Sequence, residues 1–237
     1  MSVLANINYL EWESEYFSLK TGRLEFDTQA PVLTDEQLDA FAVVQAKVAS
    51  HELSLIDKLS QLGFQFAEGE IDFKLSIGTE NACKKATEYC FRKANEDDID
   101  LLMATASEAF VQSRFRTPWY QEGDSSRFYA LWVKKAVLGT FDDICLLTYD
   151  AENNVSGFVT LRRLSENEAR VGLLAVMPNR IGQGIGKQLM SAAKFWCQQQ
   201  GISTLYVATQ ISNIAASRLY THSGGLIEST TYWLYRG

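Results

Sequence analysis

Histidine is almost missing from this sequence, which has only His51 and His222 in 237 residues. No nucleophile elbow accompanies them, so the chain offers neither a hydrolytic triad nor a histidine-built zinc site. The cysteines, at 83, 90, 145 and 197, have no metal or redox spacing and read as reduced thiols of a cytoplasmic protein. No apolar run approaches membrane-spanning length. The N-terminal stretch MSVLANINYLEWESEYF is acidic and mixed, unlike a signal peptide. Positive charge is also scarce, with a net charge of −7. Such a chain suits neither nucleic acid nor a membrane surface, and must gather its few cations wherever it meets an anion. That singles out Arg114, Arg116 and Arg127. No fixed-period repeat or low-complexity segment is present.

What the sequence does have is concentrated between Leu173 and Tyr220. An apolar strand, 171–176, meets Pro178 and then a loop with Gly182, Gly184 and Gly186. A helix follows, with Ile185, Leu189, Ala192, Ala193 and Trp196 at helical spacing and Gly201 at its end. A second strand, 205–209, leads to a helix beginning near Asn213. A glycine loop at a helix N-terminus is an anion site, because its N–H groups approach closely and the helix dipole favours negative charge. It is not a P-loop, since Lys187 is followed by Gln188, and not a dinucleotide fingerprint, since Lys187 stands where a third glycine is needed. Asn213, Ala216 and Tyr220 share one helix face: an amide to fix a ligand arm, a small residue to admit it, and a phenol to reach the reacting atom.

The rest of the chain reads as two units. Residues 1–78 form a small α/β unit, with a strand over 16–26 turning at Thr21-Gly22, a helix over 34–49 opened by a Thr34/Gln37 capping box, and a helix over 53–62 stopped by Gly63. In FQFAEGEIDFKL the alternation changes phase at Gly69, which predicts a bulge and makes Glu68 a candidate site residue. A polar linker, 76–85, separates this unit from a second one, 85–237. There a strand near 88–92 precedes a helix capped by Asn95 and running to 111, then a loop and a second helix. Strands at 144–149, 155–163 and 170–176 form an antiparallel meander.

The pattern Val176-x-Pro178, Gly182-x-Gly184-x-Gly186 and Asn213-x-x-Ala216-x-x-x-Tyr220 resembles the acetyl-CoA site of the GCN5-related N-acetyltransferase family, and the order of elements resembles its fold. The resemblance implies an α+β fold, a mixed and largely antiparallel sheet flanked by helices, with the smaller N-terminal α/β unit added. It implies that the amides of Ile181, Gly182, Gly184, Ile185 and Gly186 hold the pyrophosphate of acetyl-CoA. It also implies that Leu174, Ala175 and Val176 pair with the pantetheine arm, beside Asn213 and Ala216. Ile181 stands where the family usually has Arg or Gln, with Arg180 next to it, and backbone donors survive that change. Tyr220 then faces the thioester sulfur. A phenol of pKa about 10 is protonated at pH 7 and can hand its proton to a thiolate whose acid has a pKa near 8.5. A sugar amine of pKa about 8 is already roughly one-tenth free base there.

QAKVAS, QLGFQFAEGEIDF, SRFRTPWY, the run 127–147 and ESTTYWLYR resemble one branch of that family. Its members acetylate the 4-amino group of a dTDP-4-amino-4,6-dideoxygalactose for enterobacterial common antigen. The resemblance implies an amino-sugar nucleotide as acceptor, no metal, and a homodimer, across which the apolar tail TYWLYRG could pair. Glu68 would accept the ammonium proton or hold the sugar, and Arg114 and Arg116 would meet the diphosphate. Two alternatives stay open: the same chemistry on a protein N-terminus, polyamine or antibiotic, and a non-catalytic acyl-CoA sensor.

Overall fold

The computed structural model describes residues 2–78, 91–110 and 112–237. Its centre is one ten-stranded sheet. The strands are β1 (Ala5–Tyr9), β2 (Thr21–Phe26), β3 (Val43–Ala49), β4 (Gln65–Ser76), β5 (Phe91–Lys93), β6 (Ile144–Tyr149), β7 (Val155–Arg163), β8 (Glu168–Val176), β9 (Thr204–Gln210) and β10 (Leu226–Arg236). The described helices are α1 (Glu11–Phe17), α2 (Asp35–Asp39), α3 (Leu53–Gln61), α4 (Ile99–Ala109), α5 (Asp124–Val137), α6 (Ile185–Gln199) and α7 (Ile214–His222).

In space the strands run β1-β2-β3-β10-β4-β9-β8-β7-β6-β5. Only β2–β3 and β8–β9 pair in parallel; every other ladder is antiparallel. This is the mixed, largely antiparallel α+β architecture expected, and the strands of residues 1–78 belong to the same sheet as the rest. One face carries a core of Leu102, Phe128, Val133, Phe158, Leu173 and Trp233, closed by α4, α5 and the aromatic side chains of α1. On the other face Phe73, Val171 and Val207 cluster with Leu189 and Ala193 of α6, and Val44 and Leu234 with Leu38 of α2 and Leu59 of α3.

Several local expectations change. Residues 34–49 are not one helix. The Thr34/Gln37 capping box forms, but α2 is short and the chain is a strand again from Val43. β3 lies between β2 and β10 and is covered on both faces, so its apolar residues run on without alternation and mimic helical spacing. Residues 16–26 are also divided. α1 ends at Ser18, in the left-handed region at φ 53°, and Thr21-Gly22 opens β2 rather than a turn. The tail is not an edge strand that can pair across subunits, because β10 has β3 on one side and β4 on the other. Most of the expected linker, the start of the strand at 88–92, residue 111, Cys83 and Cys90 lie outside the described residues. The Asn95/Asp98 cap, the meander of β6, β7 and β8, and the helix after the glycine loop all form where the pattern put them.

β7, β8 and α6 crowd together at Gly157. A methyl group there would lie 2.7 Å from the Ala175 carbonyl oxygen and 3.0 Å from Leu189 Cδ1. Gly157→Ala is expected to lower stability by about 1–3 kcal/mol, read by denaturant or thermal unfolding.

Candidate active site

β8 and β9 begin as a regular parallel pair, from Glu168↔Thr204 to Val171↔Val207. There the ladder stops, although both strands continue. The cause is a bulge in β8. Leu161 of β7 pairs with Val171, but Val159 pairs with Leu174, so Gly172 and Leu173 together oppose Thr160. The alternation changes phase accordingly: Val171 packs under α6, whereas Leu173 and Ala175 join the core on the opposite face.

The hydrogen bonds of the bulge fix which groups face the gap. Leu173 N–H donates to Thr160 Oγ1 at 2.8 Å, and Met177 N–H donates to the Ser156 carbonyl at 2.9 Å. By alternation, Leu174 and Val176 turn their N–H and C=O groups away from β7, into the space left by β9. Ala175 turns its backbone to β7 and its side chain into the core, so it does not share that gap.

At the end of the gap the chain reaches the glycine loop. Gly182 and Gly184 have φ values of 81° and 79°, in the region that favours glycine, and Gly184 precedes the first residue of α6. Among the described residues, no acceptor takes the N–H of Gly182, Gly184, Ile185 or Gly186. This is a set of free donors at the positive end of a fifteen-residue helix. Arg180 turns away and pairs with Asp150, and the Ile181 side chain is 72% exposed. Gly186 also lets α6 lie against α7, since a methyl there would meet Leu219 Cδ2 at 2.9 Å.

A cleft of about 570 Å³ runs through the gap from one face of the sheet to the other. On the α6–α7 side it is lined by Gly186, Asn213, Ala216, Leu219 and Tyr220. Asn213 is the N-cap of α7: its Oδ1 accepts the Ala216 N–H at 3.0 Å, and its NH2 group makes no hydrogen bond among the described residues. Tyr220 is 5% exposed, with its ring edge-on to Phe73. Its hydroxyl has no hydrogen-bond partner among the described residues, and burial pushes its pKa above the ordinary phenol value.

On the α4–α5 side the lining includes Arg23, Lys47, Glu68, Glu70, Arg114, Tyr129, Trp132, Arg162, Arg170 and Trp233. Five cations and two carboxylates therefore line this half of an acidic protein. The strand register gathers them. Trp233 opposes both Lys47 and Glu68 across β10, and Arg170 is paired to Arg162. Lys47 Nζ meets Glu70 at 2.6 Å, and Trp233 Nε1 donates to the same carboxylate at 3.1 Å. Burial opposes the charge of Glu70, but Lys47 and Trp233 outweigh it and keep its pKa below the ordinary value. Glu68 differs: burial raises its pKa against the pull of the Gly69 N–H and Arg116.

The expected bulge beside Glu68 is present, two residues before Gly69. Trp233 pairs with Glu68 and Leu234 with Phe66, which leaves Ala67 as the extra residue. Gly69 instead makes room for Ile211, whose N–H donates to the Gly69 carbonyl at 2.8 Å. The two arginines of the 113–120 loop part company. Arg114 lines the cleft, stacked 4.1 Å from the Trp233 ring centroid and bonded to Gln45 and Tyr235, with Glu13 3.9 Å away. Arg116 is not brought into the cleft; its guanidinium donates to the carbonyls of Phe66, Ala67 and Thr117 and braces the bulge. Arg127 pairs with Asp124. Sequence reasoning missed Arg23, Lys47, Glu70, Arg162 and Arg170. They lie on five strands, and only the register brings them together.

The acetyltransferase (GNAT) family model matches residues 101–224. A dTDP-fucosamine acetyltransferase of Escherichia coli O6:H1 is 42% identical over 236 residues, which is 100% of each chain. Among solved structures, a conserved protein of unknown function from Staphylococcus epidermidis superposes with a TM-score of 0.65 at 14% identity, over 100% of this chain and 92% of that one. The glucosamine N-acetyltransferase region of a fungal multi-domain β-N-acetylglucosaminidase gives a TM-score of 0.65 at 13% identity, over 99% of this chain and 31% of that one. At these identities the structures speak for the fold alone.

Proposed function

Given that this chain belongs to the GNAT acetyltransferase family, we propose that it moves the acetyl group of acetyl-CoA to the 4-amino group of a dTDP-4-amino-4,6-dideoxyhexose. The observation that carries this reading is the single cleft that joins the free amides and Tyr220 on one face of the sheet to the cation-lined pocket on the other. The 42% identity along the whole chain to a dTDP-fucosamine acetyltransferase supports the choice of acceptor. The product would serve enterobacterial common antigen or a related polysaccharide, and the reaction would take place in the cytoplasm. No described helix is long and apolar enough to cross a membrane.

The residues present fit the donor. Free N–H groups at the start of α6 suit its pyrophosphate, and the unpaired edge of β8 offers donors and acceptors to its amide-bearing arm. Acetyl-CoA supplies the activated thioester; the chain supplies orientation and protons. The N–H groups of Leu174 and Val176 face the gap where negative charge develops on the acetyl oxygen. Tyr220 gives its proton to the departing sulfur. Burial makes the phenol a weaker acid, and the same dry surroundings raise the basicity of the thiolate, so the two shifts oppose each other.

The amine enters from the α4–α5 face. Glu68, whose raised pKa suits it to take up a proton, accepts the ammonium proton directly or through water. Arg23, which has no carboxylate partner among the described residues, and Arg114 meet the acceptor diphosphate. Residues 1–78 would act as the unit that shapes the acceptor half, and 85–237 as the unit that holds the donor. We also infer a homodimer, formed through a surface other than the paired edges of β10.

The deciding experiment is thiol release from acetyl-CoA across a panel of amines. Release with an amino-sugar nucleotide, and little with a peptide N-terminus or a polyamine, is expected. Turnover with the latter alone would move the acceptor assignment elsewhere, and no turnover at all would leave a binding protein. Tyr220→Phe is expected to cut kcat by roughly a hundredfold or more while acetyl-CoA affinity stays near that of the parent. Arg23→Ala is expected to raise KM for the sugar nucleotide by about tenfold and leave KM for acetyl-CoA unchanged, by steady-state kinetics with each substrate varied.

A further inference from the structure

Asp142 is fully buried and takes no part in the chemistry above. It precedes β6 and sits directly beneath the β8 bulge. Its Oδ2 accepts from Thr160 Oγ1 at 2.6 Å and from Trp132 Nε1 at 2.7 Å. Thr160 Oγ1 in turn accepts the Leu173 N–H at 2.8 Å. A methyl on Gly172 would fall 2.2 Å from Asp142 Oδ2 and 2.7 Å from Thr160 Oγ1, so the strand passes directly over the carboxylate. Asp142 Oδ1 has no hydrogen-bond partner among the described residues, and Arg162 Nε stands 4.0 Å away.

In an unbroken antiparallel ladder the Leu173 N–H would seek a main-chain carbonyl of β7. Here a side chain takes it, at the one position where the β7–β8 register slips. A buried N–H without an acceptor costs about 1–3 kcal/mol, enough to make a bulge or a regular ladder the preferred pairing. The Thr160 hydroxyl can serve this N–H only if its own proton is directed elsewhere, and the carboxylate of Asp142 receives it.

We infer that Asp142 and Thr160 are positioning residues that hold β8 away from β9, and so keep the Leu174 and Val176 amides free for the acyl donor. The inference deepens the acetyl-transfer reading and rests on it for its consequence in turnover. Burial pulls the Asp142 pKa upward, and the Thr160 and Trp132 hydrogen bonds and Arg162 oppose that pull.

Thr160→Val keeps the side-chain shape and removes both hydrogen bonds; Thr160→Ser keeps both. In the valine variant we expect faster hydrogen exchange at the Leu173 amide, acetyl-CoA affinity at least about tenfold weaker by calorimetry, and kcat lower by at least about tenfold. The serine variant is expected to recover affinity and kcat to within about threefold of the parent. A residue that only stabilised the fold would lower the melting temperature and leave Kd and kcat alone. A folded Thr160→Val protein with Kd, kcat and Leu173 exchange within about twofold of the parent would overturn the inference. Should that variant not fold, Thr160→Cys, with its weaker donor and acceptor, is judged by the same readouts. Exchange and calorimetry need no acceptor amine. If the parent acetylates no amino-sugar nucleotide but the valine variant still loses amide protection and acetyl-CoA binding, the acceptor reading falls and the inference stands.

Discussion

Everything in the site depends on two parallel strands being unable to stay paired. β8 and β9 share four residue pairs and then separate, because one surplus residue in β8 turns its backbone out of register. In an intact sheet, the main-chain groups of Leu174 and Val176 would be spent on β9. The separation costs ladder hydrogen bonds, which is tolerated because the freed groups face a cleft instead of a dry core. The gap also lets groups on opposite faces of the sheet meet. Two substrates can therefore approach from two sides without sharing an entrance.

The two halves of the cleft are built by different means. The α6–α7 half is local: a turn, a helix start and one side of a short helix, all between residues 174 and 220. Main-chain amides dominate it, so it does not depend on whether Arg180 or another side chain stands nearby; Arg180 in fact pairs with Asp150. The α4–α5 half is assembled from β2, β3, β4, β7, β8 and β10 and the loop at Arg114. Most of its charges are already matched: Lys47 with Glu70, Arg170 with Asp72, Arg162 near Asp142, Arg114 among Glu13, Gln45 and Tyr235. That pre-arrangement holds the cations in an acidic protein before any ligand arrives.

This division explains what the sequence revealed. The glycine loop, the helix start near Asn213 and the position of Tyr220 on that helix were legible because each is a short-range pattern with a backbone reason behind it; that Asn213 caps the helix was not. The meander was legible from its alternation and turns. β3 was not, because a strand covered on both faces loses the period-two signal, and Leu38, Phe41 and Ala42 continued a helical spacing by accident. The pair Arg114 and Arg116 looked equivalent, yet residues two apart in a loop turned to opposite tasks. Arg23, Lys47, Arg162 and Arg170 are unremarkable one at a time, and only strand register makes them neighbours. Asp142 gave no signal at all, since nothing in a single acid before a strand says that another strand will bend over it.

The placement of β10 reaches beyond the site. Residues 226–236 fill the slot between β3 and β4, although those two strands are made far earlier in the chain. Until the ribosome has released that segment, β1, β2 and β3 cannot join the remainder of the sheet, which β4 reaches through β9, and the facing edges of β3 and β4 stay open. Long-range closure of this kind slows folding and leaves sticky edges exposed while the chain waits. A nascent chain of this protein therefore carries open strand edges, of the kind chaperones shield, until residues 226–236 have emerged.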